Sequence, residues 1–200
     1  MIFLWGASGH AKVIIEILEA CSREVGALCD RNEAIHSLLG YRVAPQLPPS
    51  FDPSKDRLII SIGNNKIRKQ IDRANSFLYT TAVHPSAVIS TRARLGEGSV
   101  VMAGACVNSD TQIGRHVILN TNCSVDHDCR IEDFAHISPC AALAGDVWVG
   151  EGTHIGIGAS VIQGIRIGKW CTIGAGSVII RDVPDGVIVA GNPGRILNKD

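Results

Sequence analysis

The chain has 200 residues, and its 19 Lys plus Arg balance 19 Asp plus Glu, so the formal net charge is zero. With no basic stripe and no block of like charge, nucleic acid and anionic membrane surfaces are not expected partners. Seven cysteines, an odd number with no CxxC pair, predict neither a disulfide framework nor a zinc ribbon and go with a reducing, cytoplasmic setting. The opening MIFLWGASGHAK has no charged leader region, and no apolar run is long enough to span a bilayer.

Residues 1–82 read as alternating strands and helices, a small Rossmann-like unit. A short apolar strand, residues 2–5, runs into Gly6-Ala7-Ser8-Gly9-His10. A helix follows over residues 11–21, with Val13, Ile14, Ile17 and Leu18 on one face. A second strand ends at Asp30, a Pro-rich stretch covers residues 45–53, and a third strand, residues 58–62, leads through Gly63-Asn64-Asn65 into a basic-polar helix over 66–74. A glycine-rich strand-to-helix turn exposes backbone N–H groups that suit a phosphate. Read as GxGxxG, however, the turn has Ser8 and Ala11 where the second and third glycines belong, so a phosphate cradle and a plain tight turn stand level. Asp30 sits where a ribose-binding acid belongs in such units, and equally where a turn-forming Asp does.

From Val83 onward the chain repeats every six residues, seventeen times in phase, through residue 184. Every first position is Val, Ile or Leu, and every fifth is small or β-branched, a rhythm that matches a hexapeptide β-helix and neither a simple strand nor an α-helix. Three hexads close one triangular coil, and coils stack at the inter-strand spacing of ~4.8 Å. Both inward positions fill a narrow interior, which makes Cys123, Cys129 and Cys171 core filler. Gly96, Gly114, Gly150, Gly156, Gly168 and Gly174, with Asn108 and Asn120, recur at the second position and are expected to take positive φ at the corners. Residues 185–200 form a closing segment.

The seven histidines divide by context. His36 and His84 are expected in solvent, and His116, at an outward position, on the surface. His136 and His154 are one coil apart and should stack; zinc needs three or four ligands, and no third histidine continues the column, so no metal is expected. His127 lies between Asp126 and Asp128. A carboxylate beside an imidazole fixes its tautomer and raises its basicity, as a general base requires, although an Asp-His-Asp surface turn has the same composition. Coil arithmetic favours the base: Gly145 follows by 18 residues and should lie directly over His127, leaving room for a ligand and a backbone N–H to hold an oxyanion.

GASGH at 6–10, IGNN at 62–65, LNTNCSVDHDC at 119–129 and VIVAGNPGRI at 187–196 together resemble the bacterial hexapeptide-repeat acetyltransferases of nucleotide-linked 4-amino-4,6-dideoxy sugars, a group that includes sialic-acid O-acetyltransferase-like sequences. The resemblance covers almost the whole chain. It implies a Rossmann-like domain followed by a left-handed parallel β-helix, a cytoplasmic homotrimer, and acetyl-CoA lying between adjacent prisms with no metal. It also implies His127 as general base, Asp128 as the group raising its basicity and Gly145 as oxyanion donor. Asn120, His136, Ile157 and Ala175 would line the coenzyme, and Ser8, Gly9, His10, Asp30 and Arg31 the nucleotide sugar. The chain departs from the pattern at Asp128, where some relatives carry Glu, and at Gly194, where Ala is usual. The implied reaction is N-acetylation of the sugar amine; O-acetylation, a β-helix metal hydratase and a non-catalytic trimeric scaffold are the alternatives.

Overall fold

The computed structural model describes residues 1–197; the end of the closing segment, 198–200, lies outside the described residues. The N-terminal unit runs β1 (Ile2–Trp5), α1 (Gly9–Ala20), β2 (Val25–Cys29), β3 (Ser37–Leu38), β4 (Tyr41–Ala44), β5 (Arg57–Ile60) and α2 (Asn65–Ala74). Its sheet has the order β3-β4-β2-β1-β5, with β1, β2, β4 and β5 parallel. The central strands are covered on both faces, which is why Phe3, Leu4, Leu58, Ile59 and Ile60 are consecutive apolar residues and all buried. The first helix begins at Gly9, earlier than its apolar pattern, because extended Ser8 takes the N-cap. Ile15 joins Ile14, Ile17 and Leu18 in the core, while Val13 is only half-buried. The hairpin of β3 and β4 leaves little trace in the sequence, since only Val43 among its residues is buried.

The hexad segment forms three parallel ladders, the faces of a triangular prism. Residues 18 apart are in register through Val161 with Ile179, for example Ile118 with His136 and His136 with His154 on the first face; the expected seventeenth hexad departs from phase, since Val183 pairs with Ile167, 16 residues back. The second face carries Cys106, Ser124 and Ala142 in one column, and the third carries Gln112, Arg130 and Trp148. Inward first- and fifth-position residues from Val101 to Val183 make one continuous core. Thr111 and Thr153 belong to it too, each giving its hydroxyl to a backbone carbonyl (2.6 Å). Beyond the hexads, Ile188–Ala190 extends the first ladder, and Arg195–Leu197 turns back antiparallel against it.

The corner geometry corrects one expectation. Positive φ falls at the fourth hexad position, at Gly98, Asp110, His116, Asn122, Asp128 and Phe134 among others, and not at the second. The second-position glycines answer a different constraint. A Cβ on Gly96 would lie 2.5 Å from the carbonyl carbon of Gly114, and one on Gly150 would lie 2.6 Å from that of Gly168. Stacked backbone therefore excludes a side chain there. Gly150→Ala is expected to cost about 1–3 kcal/mol by overpacking. Gly158→Asn, at φ +64 with nothing within 4 Å of a Cβ, should cost less than about 1 kcal/mol, because Asn tolerates the left-handed region. Denaturant titration of both variants measures the difference.

The two units share one apolar cluster. Ile14, Ile15 and Leu18 of α1 pack with Ala82, Val100 and Met102 at the base of the first face. Higher up, α2 lies on the edge between the third and first faces, which buries His116, expected on the surface, and Arg68 of the basic-polar helix. His116 is 1 % exposed, stacked on Phe134 and edge-on to Tyr79, with Nε2 3.1 Å from Asp72. Burial outweighs the Asp72 carboxylate and pushes its pKa down to about 4. Arg68, on the helix read as basic-polar, is also 1 % exposed. Its guanidinium donates to the carbonyls of Ile62 (3.0 Å), Gly63 (2.9 Å), His116 (3.1 Å) and Phe134 (2.9 Å), and to Oδ1 of Asn65 (2.9 Å). Asn65 in turn donates to the Gly152 carbonyl (3.0 Å), and Lys69 pairs with Glu151. Arg68→Met would strand these carbonyls in a closed interface, so unfolding free energy should fall by about 3 kcal/mol or more. A denaturant titration reads that loss.

Candidate active site

The sequence-predicted site residues fall into three groups. The first lies on the prism edge between the second and third faces. There His127 Nδ1 is 2.8 Å from Asp128 Oδ2, with both side chains about three-fifths exposed at 60 % and 61 %. Asp128 has φ +60, a turn that brings its carboxylate back to the preceding ring despite being one carbon shorter than Glu. Because an ionised carboxylate only accepts, Nδ1 carries the proton and Nε2 presents a lone pair outward. Asp126 Oδ1 accepts from the His127 N–H (2.8 Å) and from Asn108 Nδ2 (2.7 Å), pinning the turn. The hydrogen bond that His127 donates to Asp128, followed by the charge of Asp126, holds the His127 pKa above its ordinary value.

Gly145 caps this group. A Cβ there would stand 2.6 Å from Cε1 and 2.7 Å from Nε2 of His127, so any side chain would displace the imidazole. Its carbonyl accepts from Gly164, whereas its N–H donates to nothing among the described residues. An outward base beneath an unused N–H is the pair of groups that an addition to a carbonyl needs. The interior cysteines offer no competing nucleophile, since burial raises Cys123 to about 12 and Cys129 to about 11.

The second group lies under the N-terminal unit. Asn120 Nδ2 donates to His136 Nε2 (3.0 Å), which assigns the His136 proton to Nδ1, a buried atom with no partner. His136 and His154 stack with centroids 4.7 Å apart, and His154 Nε2 meets Ser138 Oγ at 2.8 Å. Burial, then the neighbouring His154, lowers His136 to about 2. His10 is lowered to about 4 by burial and Arg68, and its Nε2 is also buried without a partner. Ile157 and Ala175 stand exposed nearby in sequence register, on the edge between the first and second faces. No group of three His, Cys, Asp or Glu able to hold a metal occurs among the described residues.

The third group follows the carboxyl ends of the N-terminal strands. Ser8 and Gly9 are exposed, and a Cβ on Gly9 would meet nothing within 4 Å. Asp30 braces the turn, its Oδ2 accepting from the Ala7 N–H (2.7 Å) and its Oδ1 from the Asn32 N–H (2.9 Å). Asp30 and Arg31 line a cavity of about 420 Å³ with Trp5, Ile62, Ile67 and Gln70. His10 joins the second and third groups. No contact among the described residues joins either of them to His127, whose prism edge lies opposite the face that the N-terminal unit covers.

Comparison with known proteins fits this division of the chain. Residues 1–74 match the family described as PglD N-terminal domain, and residues 146–181 match the bacterial transferase hexapeptide (six repeats). A solved histidine variant of perosamine N-acetyltransferase from Caulobacter crescentus, in complex with CoA and GDP-perosamine, is 41% identical with a TM-score of 0.93. That match covers 99% of this chain and 97% of the other. The chain belongs to the hexapeptide-repeat nucleotide-amino-sugar N-acetyltransferases. A second member of this acetyltransferase family, the acetyltransferase domain of PglB from Neisseria gonorrhoeae in complex with acetyl coenzyme A, is 39% identical over 98% of each chain with a TM-score of 0.92. The UDP-N-acetylbacillosamine N-acetyltransferase of Bacillus subtilis is 42% identical over 108 residues, a match spanning about half (49%) of each protein.

The residues that sequence reasoning missed are Arg68, Asn65 and His116, which fasten the acetyltransferase's two units together. Asn65 and Arg68 are one helical turn apart, the only local signal of a shared role. For His127 the expected pH behaviour has a definite sign. A base works only when unprotonated, so its raised pKa places the acid limb of kcat/KM above the ordinary imidazole range, and activity falls as pH drops through it. Asp128→Asn removes the largest upward influence; the limb should move to lower pH while the plateau rate drops by about tenfold. A pH–rate profile of both proteins measures this.

Proposed function

We propose that this chain transfers the acetyl group of acetyl-CoA to the 4-amino group of a nucleotide-linked 4-amino-4,6-dideoxy sugar. The observation that carries the reading is His127 Nε2, outward-facing and held by Asp128, under the unused Gly145 N–H. The sugar amine adds directly to the thioester carbonyl as His127 takes its proton. The Gly145 N–H donates to the oxyanion that develops, and collapse of the adduct expels CoA as the thiol, the proton returning from the imidazolium. Asn120, His136, Ile157 and Ala175 are assigned to the coenzyme, and Ser8, Gly9, His10, Asp30 and Arg31 to the nucleotide sugar.

These assignments use two different prism edges and a face opposite His127, which one copy cannot wrap around one substrate. The site is therefore assigned to the seam between neighbouring copies in a homotrimer, with His127 from one and the N-terminal unit from the next. Among the described residues, no helix is long and apolar enough to cross a membrane. Cytosolic co-substrates go with a cytosolic location.

Incubation with acetyl-CoA and a panel of nucleotide-linked 4-amino sugars tests the reading by mass spectrometry. One added acetyl on a panel member is expected, reduced about 10²–10⁴-fold by His127→Ala with thermal stability unchanged. Transfer that survives His127→Ala, or no transfer to any amine while a sugar hydroxyl is acetylated, would overturn it.

A further inference from the structure

The named relatives include GDP-linked and UDP-linked enzymes, so family membership leaves the nucleobase open. The sheet's carboxyl edge narrows it. In parallel α/β sheets, phosphate sits over the turn after the first strand and ribose over the acid that ends the second. Here those positions are Ser8-Gly9 and Asp30, and the sheet order β1-β2-β4 continues the same direction to the end of β4. A cavity of about 550 Å³ opens at that point, lined by Trp5, Phe77 and Leu47 together with Arg31, Glu33 and Gln46. The Trp5 and Phe77 rings are 5.8 Å apart, giving the cavity an aromatic wall on which a planar base can stack.

Of the three polar side chains lining this cavity, Arg31 and Gln46 carry N–H donors that any base carbonyl can use, and Glu33 is the acceptor-only group that distinguishes one base edge from another. Its backbone is fixed in a turn closed by the Ile35 N–H on the Asn32 carbonyl (3.0 Å), with Asn32 Oδ1 also accepting from the Ala34 N–H (3.1 Å). Its carboxylate takes part in no hydrogen bond or ion pair among the described residues. A carboxylate only accepts. Guanine offers it N1–H and N2–H side by side, a bidentate match. Uracil and thymine offer one N–H flanked by two carbonyl oxygens that would repel it, and adenine places an acceptor beside its amino group. We propose that Glu33 reads guanine in the cavity walled by Trp5 and Phe77, making the acetyl acceptor a GDP-linked amino sugar. The sugar part of that statement rests on the acetyltransferase reading, and the base part does not.

Calorimetric titration of the full chain with GDP, IDP, UDP and dTDP tests it, alongside Glu33→Gln. GDP should bind about tenfold or more tighter than UDP and dTDP, with IDP, which lacks the N2 amine, in between. Glu33→Gln should erase the GDP preference while leaving UDP affinity within about twofold. Glu33 is exposed, so the variant should keep the parent's melting temperature. UDP or dTDP binding as tightly as GDP, or a GDP preference that survives Glu33→Gln, would overturn the assignment. If that happens while acetyl transfer to another nucleotide sugar proceeds, the acetyltransferase reading stands. Failure of all four diphosphates to bind would also overturn the guanine assignment, whereas absence of acetyl transfer to every sugar of the panel is what would overturn the acetyltransferase reading.

Discussion

In-register stacking at 18 residues governs this molecule. Each residue of the prism lies one strand spacing, ~4.8 Å, from the residue one coil away, so a side chain's neighbours are set by its place in an integer series. That rule excludes side chains from Gly96 and Gly150, where the next backbone is too close. It also puts Gly145 against the His127 ring and His136 against His154. The geometry around His127 comes from strand stacking rather than from a long loop. The His127 imidazole and the Gly145 N–H belong to successive coils of one ladder, which holds them at fixed separation.

The second constraint is the joint between the two units. Arg68 is a buried cation with carbonyl partners from α2's own approach and from two coils of the prism. Burial lowers its pKa to about 9, still well above neutrality, so it remains charged and its acceptors remain engaged. Its charge also adds to burial in holding His10, His136 and His154 neutral. One side chain thus fixes where the N-terminal unit sits over the prism and helps to keep the imidazoles of that junction uncharged.

What the sequence made legible follows from the same physics. Inward residues from Val101 to Val183, the partnership of His127 with Gly145 and the stacking of His136 on His154 all depend on one period, and counting recovers them. The β1–α1–β2 run is legible because doubly covered strands are continuous apolar runs. Arg68 and His116 were not legible, because their burial arises from docking of α2 against residues far along the chain, and no period links them. Left-handed corners were misassigned because glycine occurs at both the second and fourth positions. At the fourth, Asp, Asn, His and even Phe134 take positive φ, so residue type alone does not mark the turn. Glu33 lies in a short turn whose meaning appears only once the end of β4 is placed beside β2.

The central claim is that one copy supplies His127 while the next supplies the nucleotide-binding edge. Co-expression of two inactive chains, His127→Ala and Gly9→Leu, tests it directly. Gly9 has open space around it, so leucine there obstructs the substrate approach without straining the fold. Random assembly should pair an intact His127 with an intact neighbouring edge at about a quarter of the seams, restoring about a quarter of wild-type turnover. Activity no greater than that of either variant alone, from trimers shown to contain both chains, would contradict a site shared between copies.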